Sequence, residues 1–389
     1  MAAYSTSVSQ PSRAAAAPED GDPEAHHVKK HGKTVHFSNP HPSFKKEMGS
    51  AFAIGMKIFR ARRDGKMPTP DMSKASEIPV ATPSFSSARG GAENQALRAT
   101  WLGHACYYVE FPGGLRVLFD PVFEDRCSPV QFFGPKRYTP PPCRLSDLPV
   151  VDAVVISHSH YDHLSHPSVL EIQKHHPEAH FFVGLGLERW FRTSGVKKVT
   201  ELDWWQDAEL VVEPTKGAGA KIAATVSCLP CQHGSGRTPS DKDETLWASW
   251  AISSGGKSVW FGGDTGYRAV PELPAGVDDY GPEYDDLPRC PQFAEIGKLR
   301  GPFDLGMIPI GAYQPRFLWS PVHANPFDAV EIFKDTKCKR AMGIHWGTWA
   351  LTSEEIDEPP KILKEALRKS GIAETGVFDT CSIGESREF

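Results

Sequence analysis

Pro149-Val150-Val151-Asp152-Ala153-Val154-Val155-Ile156-Ser157-His158-Ser159-His160-Tyr161-Asp162-His163 is the stretch that decides the fold. Residues 150–156 are apolar and β-branched behind Pro149, the composition of a buried strand. Residues 158–163 hold three imidazoles and a carboxylate, so the polar cluster falls where a strand opens into a loop. Residues two apart in extended backbone point the same way, which lets His158 and His160 reach one ion together. Asp162 and His163 lie past the turn, placed for a second ion. Neutral imidazole and carboxylate suit zinc and its neighbours.

A metal held by His158 and His160 needs a further protein ligand and an open position for chemistry. Three later strand ends offer one each. His233 follows the β-like run 225–230, Asp264 follows Gly262-Gly263 after the run 258–261, and His345 closes the run 340–344. One arrangement satisfies the coordination count: His158, His160 and His233 on one ion, Asp162, His163 and His345 on the other, Asp264 bridging. Two ions about 3.5–4 Å apart pin a hydroxide, lower its pKa and clamp an oxygen-rich substrate for in-line attack. Asp120, at the end of an earlier hairpin, is placed to fix the tautomer of a ligand imidazole.

The two hairpins share a grammar. Residues 106–111 and 115–119 flank Pro112-Gly113-Gly114 and end in Asp120; residues 247–253 and 258–261 flank Gly255-Gly256 and end in Asp264. An internally duplicated β-rich sandwich follows. Helical composition at 167–176, 187–194, from 328 and at 361–370 covers its faces, and the acidic stretch 270–292 reads as a surface loop.

The chain divides into a leader at 1–42 without hydrophobic periodicity, read as disordered, a basic and apolar segment at 43–63, a Pro/Ser/Gly linker at 64–95 and a catalytic domain at 96–389. In the segment, Phe44, Met48, Phe52, Met56 and Phe59 interleave with Lys45, Lys46, Lys57, Arg60, Arg62 and Arg63. Two readings stay open: an amphipathic helix at a membrane surface, or a helix packed on the domain with a solvated basic edge. Forty per cent hydrophobic residues in 389 allow a substantial core, and a net charge of −5 gives no global attraction to nucleic acid. Eight scattered cysteines are too few for a disulfide scaffold, and Cys228-Leu-Pro-Cys231 reads as packing rather than a redox pair. No apolar run reaches twenty residues and no secretory pattern opens the chain, so the sequence predicts an intracellular protein without a membrane span.

The His-x-His-x-Asp-His run with later His, Asp and His resembles the metallo-β-lactamase superfamily, which implies an αββα sandwich with a two-metal site at the edge between the sheets. Thr100–Ala105 read as TWLGHA, Gly134-Pro135-Lys136-Arg137, Gly263-Asp264-Thr265-Gly266-Tyr267, Ile308-Pro309-Ile310-Gly311-Ala312-Tyr313 and Ile344-His345-Trp346-Gly347-Thr348 are similar to blocks of the N-acyl-phosphatidylethanolamine-hydrolysing phospholipase D family. The resemblance spans residues 98–370. It implies two Zn2+ per chain, hydrolysis of a phosphodiester to N-acylethanolamine and phosphatidic acid, peripheral membrane association and a homodimer. It also implies that the seven ligands above are the family's, and that Asp162 and Asp264 are catalytic with His323, which sits beside the substrate phosphate to orient it or to move a proton. The other reading of His323 is a loop histidine at the start of a helix. Tyr313, Gln314 and Arg316 precede a Phe-Leu-Trp run that lines a lipid entrance on this view, while Tyr161 either packs against the ligands or touches substrate.

Three departures stand out. Residues 270–292 exceed the family's link, the first 95 residues share little with it, and His233-Gly234-Ser235-Gly236-Arg237 differs beside the leaving-group side. Two alternatives compete with the phospholipase reading: a soluble two-metal hydrolase of a lactone, thioester or nucleic-acid phosphodiester, and a non-catalytic scaffold. Retention of all seven ligands argues against the scaffold.

Overall fold

Two sheets lie face to face with helices on their outer sides, the αββα sandwich expected from the sequence. The computed structural model describes residues 4–14, 16–19, 21–44, 51–86, 89, 96–215, 219–274 and 276–389, and among them no helix is long and apolar enough to cross a membrane.

The leader segment, expected to lack structure, runs over its described residues as edge strands and a hairpin. β1 (Tyr4–Val8) and β2 (Ser12–Arg13) pair antiparallel with the later strand Gln206–Pro214. β3 (His27–Lys30) and β4 (Lys33–Phe37) form a hairpin held by His26 and His27, whose Nε2 atoms lie 2.7 and 2.9 Å from the Asp203 carboxylate. The His26 ring stacks between Trp204 and Phe37. Backbone pairing to an open sheet edge needs no hydrophobic periodicity, which is why composition missed these strands. α1 (Ala51–Arg63) follows, with Ala61 buried and Phe59 62% exposed; residues 45–50 of the basic segment lie outside the described residues. The described part of the expected linker wraps the domain: Ala81 N–H donates to Ile383 O at 2.7 Å and Arg89 forks onto Asp152 at 2.9 and 2.5 Å.

The first sheet is β5 (Arg98–Gly103), β6 (Cys106–Glu110), β7 (Arg116–Phe119), β8 (Ala153–Val155), β9 (His180–Gly184) and β10 (Val199–Leu202). β5, β6 and β7 are antiparallel; β7, β8, β9 and β10 are parallel. α2 (His166–His175) and α3 (Glu188–Thr193) make the parallel crossovers. Ser165 caps α2 by accepting from Ser168 N–H at 3.3 Å, and Pro167 sits in the first turn, where its missing N–H has no consequence.

The second sheet runs β11 (Gln206–Pro214), β12 (Ile222–Leu229), β13 (Ser249–Ser254), β14 (Lys257–Phe261), β15 (Leu305–Pro309), β16 (Ala341–Ile344) and β17 (Phe378–Asp379), with β1 and β2 on the β11 edge. Here too β12, β13 and β14 are antiparallel and β14, β15, β16 and β17 parallel, so the duplication read from the hairpins is the plan of both sheets. α4 (Gln292–Leu299), α5 (Arg316–Trp319), α6 (Pro326–Asp335) and α7 (Glu358–Lys369) connect its parallel strands, and β18 (Ser386–Glu388) returns to pair with β5.

Period-two alternation sorts the core. Trp101, Tyr107, Val109, Val117, Phe119 and Val155 face the second sheet, where Phe119 meets Phe261 at 4.9 Å between ring centroids. Their neighbours Leu102, Tyr108, Leu118, Val154 and Phe181 face outward onto Val169, Ile172 and Phe191. Each such buried side chain contributes about 1.5–3 kcal/mol. Cys228 and Cys231 are free thiols buried in this core, as packing residues would be. The described residues of the acidic stretch 270–292 are mostly exposed or half-buried, as a surface loop would be, and the loop is anchored where the Arg268 guanidinium lies 3.7 Å from the Tyr280 ring centroid.

Candidate metal centre

Every polar residue of the centre hangs on a strand end, and the two sheets bring those ends together along one edge of the sandwich. His104 follows β5, Asp120 follows β7 and residues 158–163 follow β8; His233, Asp264 and His345 follow β12, β14 and β16. Three of these residues hold left-handed backbone, His104 at φ 51°, Asp120 at 37° and His345 at 64°. Non-glycine residues adopt that region at a cost of order 1–3 kcal/mol, and such strain clusters at functional sites. Gly263, at φ 57°, lets the two sheets meet: a Cβ there would lie 2.6 Å from Ser157 Cβ.

The side chains form two adjoining sets. His158 Nε2 and His233 Nε2 lie 2.8 and 3.2 Å from His160 Nδ1, so these three imidazoles present lone pairs to one point. His163 Nε2 and His345 Nε2 lie 3.4 and 3.3 Å from Asp162 Oδ2, which defines the second. Asp264 sits between them. Its Oδ1 is 3.0 Å from His345 Nε2, and its Oδ2 is 3.1 Å from His163 Nε2, 3.7 Å from His233 Nε2 and 3.9 Å from His158 Nε2. The structure thus brings together His158, His160, Asp162, His163, His233, Asp264 and His345 in the grouping read from sequence.

In three of the rings the outer nitrogen is committed elsewhere, which leaves the inner one free, whereas His345 Nδ1 is buried without a hydrogen-bond partner. His163 Nδ1 is 2.6 Å from Asp120 Oδ2, His233 Nδ1 is 2.8 Å from Val322 O and His158 Nδ1 is 2.9 Å from Ser157 Oγ. Asp120 is itself held by Ser157, whose N–H donates at 2.7 Å and hydroxyl at 2.5 Å. A carboxylate or carbonyl on one ring nitrogen turns the lone pair of the other towards a metal. Inside, His163 Nε2 and Asp264 Oδ1 are buried with no hydrogen-bond partner. Orphaned buried donors and acceptors are costly, and a cation held among them removes the cost; the residues fit metal ions.

The electrostatics divide the same way. Burial holds His158 and His233 well below the ordinary imidazole value, with neighbouring imidazoles adding to it, so both rings stay neutral. Burial also opposes charge on Asp162 and Asp264, yet the cationic His163 beside them holds both carboxyls well below the carboxylate range. His345 is correspondingly raised to about 9: burial lowers it, and the Asp264 and Asp162 carboxylates outweigh that. A buried site that must protonate its histidines to balance its aspartates is one a cation would occupy with release of those protons.

His323 closes the open side, its ring 5.1 Å from that of His233 and 5.3 Å from that of His345, and Nδ1 3.9 Å from Asp264 Oδ2. Burial lowers it to about 4 and Nδ1 has no hydrogen-bond partner, so a neutral imidazole with a free nitrogen faces the cluster. The remaining candidates are spread out. Tyr161 is half-buried and stacks on Arg237, whose guanidinium is 4.5 Å from its ring. The Tyr313 hydroxyl donates to Glu358 at 2.6 Å, and the Gln314 backbone N–H to Glu354 at 3.1 Å. Arg316 turns away from the cluster to pair with Asp279 at 3.0 Å and Asp328 at 2.7 Å.

Two residues escaped the sequence reading. His104 Nε2 lies 3.1 Å from Asp162 Oδ2, and its ring packs 4.1 Å from that of His345. It follows a strand as the candidate ligands do, the signal that could have singled it out. Arg237 donates from Nε to Ser159 O at 2.6 Å and from Nη2 to Leu164 O, clamping the histidine-rich loop at both ends. Nothing local marks it, because its partners lie some seventy residues earlier.

Comparison with known proteins agrees with this geometry. The model of the beta-lactamase superfamily domain matches residues 115–346. The chain is 39% identical over 295 residues to N-acyl-phosphatidylethanolamine-hydrolyzing phospholipase D 1 of Caenorhabditis elegans, covering 74% of this chain and 75% of that one. It is 32% identical to the protein of Saccharomyces cerevisiae named N-acyl-phosphatidylethanolamine-hydrolyzing phospholipase D, mitochondrial, covering 72% of this chain and 53% of that one. Among solved structures, a possible metal-dependent hydrolase from Veillonella parvula superposes with a TM-score of 0.51 at 15% identity, covering 76% of this chain and 100% of that one, a likeness of fold.

Proposed function

The chain belongs to the N-acyl-phosphatidylethanolamine-hydrolysing phospholipase D family of the beta-lactamase superfamily, and on that premise we propose that it is a two-zinc phosphodiesterase. Its substrate on this reading is N-acyl-phosphatidylethanolamine at a membrane surface, and its products are N-acylethanolamine and phosphatidic acid. The observation that carries the reading is Asp264, whose two oxygens face both sets of ligands from the centre of the cluster.

His158, His160 and His233 would hold one Zn2+, Asp162, His163 and His345 the other, with Asp264 shared. Bound there, two such ions supply Lewis acidity and lower the pKa of water. The chain's own groups do the rest. Asp120 and the Val322 carbonyl fix two imidazole tautomers, so no reorganisation is needed during reaction. His323 presents its unpartnered nitrogen to the space beside Asp264, where a phosphoryl oxygen would accept its N–H. Buried side chains on all other sides exclude bulk water and strengthen each of these interactions.

Membrane association has its own support. α1 exposes Met56 and Phe59, the latter by 62%, beside a last turn of Arg60, Arg62 and Arg63. A loop from the first sheet exposes Phe132 by 84% and Phe133 by 74%. The purified, zinc-loaded protein, given vesicles containing N-acyl-phosphatidylethanolamine, should yield phosphatidic acid and N-acylethanolamine by mass spectrometry. Absence of both overturns the substrate. Flotation of a Phe59→Ser/Arg60→Glu variant tests the surface and should lose vesicle binding; sedimentation velocity tests the homodimer that the family suggests.

A further inference from the structure

Two guanidiniums lie buried beside the loop that carries His323. The Arg268 side chain is 1% exposed and that of Arg316 11%. α6 supplies one carboxylate against them: Asp328, with a side chain 0% exposed, accepts from Arg316 Nη2 at 2.7 Å and from Arg268 Nε at 3.3 Å. Two cations against one anion leave a buried charge unpaired, which is strongly destabilising. The second anion comes from the acidic stretch 270–292. Asp279 Oδ2 lies 3.0 Å from Arg316 Nη2, 3.1 Å from Arg316 Nε and 3.4 Å from Arg268 Nη2. The Asp279 carbonyl accepts from Arg268 Nη2 at 2.7 Å, and the next residue, Tyr280, donates its hydroxyl to Asp328.

What this four-charge cluster holds is the loop between α5 and α6. Arg316 Nη1 reaches His323 O at 3.5 Å, and Asn325 caps α6 by accepting from Asp328 N–H at 2.8 Å. On its other side the loop is tied to the metal centre. Ala324 N–H donates to Thr265 O at 2.7 Å, next to Asp264, and Val322 O is the partner of His233 Nδ1.

We propose that the acidic stretch 270–292 is a clasp, in which Asp279 balances Arg268 and Arg316 and thereby positions His323 and the carbonyl that orients His233. Asp279 touches neither substrate nor ligand set; it is a positioning residue. Only the kinetic arm of the test below rests on the phosphodiesterase reading.

Hydrogen–deuterium exchange of the full zinc-loaded chain tests the clasp directly. In Asp279→Asn, exchange over residues 316–325 should rise roughly tenfold while residues 116–120 and 153–163 keep their protection. Asp279→Glu, which restores the charge, should recover most of it. Unchanged exchange in the loop, or an increase spread evenly over the chain, overturns the proposal. With bis(p-nitrophenyl) phosphate as the probe, Asp279→Asn should lower kcat roughly tenfold and leave KM within about twofold. An unaltered kcat beside a loosened loop overturns the positioning role. A loosened loop in a protein whose wild type hydrolyses no phosphodiester leaves the clasp standing and removes the phosphodiesterase; wild-type turnover with an unchanged loop does the reverse.

Discussion

Asp120 and Asp264 end corresponding strands of the two sheets, β7 and β14, each the second arm of a hairpin and each followed by parallel strands. Their electrostatics are opposite. Burial pushes the Asp120 carboxyl up, against the pull of His163 and Ser157. Burial opposes Asp264 as well, but the charges of His163 and His345 hold it well below the ordinary range. Asp120 is turned into the protein, where Ser157 and His163 use both its oxygens. Asp264 is turned into the gap between the sheets and keeps Oδ1 without a hydrogen bond. Repetition of a backbone plan gave two equivalent aspartates; which faces the gap between the candidate ligand sets and which holds an imidazole from behind was decided by where each side chain points once the sheets pack.

The largest test of this difference is Asp264→Asn. It removes the shared charge from both ligand sets, and kcat should fall by at least about 10³-fold, some 4 kcal/mol in transition-state terms. Metal content by mass spectrometry should drop with it, while circular dichroism stays native. Full activity would end the bridging assignment.

The second test uses the sheets' unequal titration. Burial, reinforced by Lys198, lowers His180 at the start of β9 to about 4, whereas the corresponding position opening β16 is Ala341. The unfolded chain therefore binds a proton that the folded chain refuses as pH falls below about 6.5, and stability is lost between there and about 4, by roughly 3 kcal/mol at most. His180→Gln keeps a partner for Thr200 and should flatten that part of the pH–stability curve measured by urea unfolding. An unchanged curve would place the acid sensitivity elsewhere.

Third comes Gly263→Ala. A methyl 2.6 Å from Ser157 Cβ, on backbone at φ 57°, should destabilise by about 2 kcal/mol and lower the affinity for the second metal equivalent. Calorimetric Tm and metal titration read the two effects separately. Smallest is Asp120→Asn, which keeps the shape and loses the charge behind His163; roughly tenfold in activity or metal affinity is expected, with both ions still bound at saturating zinc. If Asp120→Asn proved as damaging as Asp264→Asn, the distinction drawn between the two aspartates would collapse.

Much of this was legible because it is local. A strand followed by alternating histidines, glycines before an aspartate and turn dipeptides between apolar runs each carry their geometry within a few residues, so strand ends and ligand types could be read in order. The first 37 residues were not legible, because strands such as Tyr4–Val8 are polar and pair through their backbones with an edge two hundred residues away. The expectation for Arg316 as a lipid contact met the same barrier. Its direction is set by Asp279 and Asp328, thirty-seven residues before it and twelve after.

The sequence alone thus determined the sandwich, its repeated hairpins and the seven residues that gather at one edge as candidate ligands, since period-two burial and strand-end placement are properties of short stretches. Only the tertiary structure decided that His160 points Nδ1 inward while its partners point Nε2, that Asp120 lies behind His163 where Asp264 faces both sets of imidazoles, and that His104 and Arg237 brace the loop from afar. Those choices depend on angles between strands of two different sheets, and no local spacing encodes the way one sheet lies upon another.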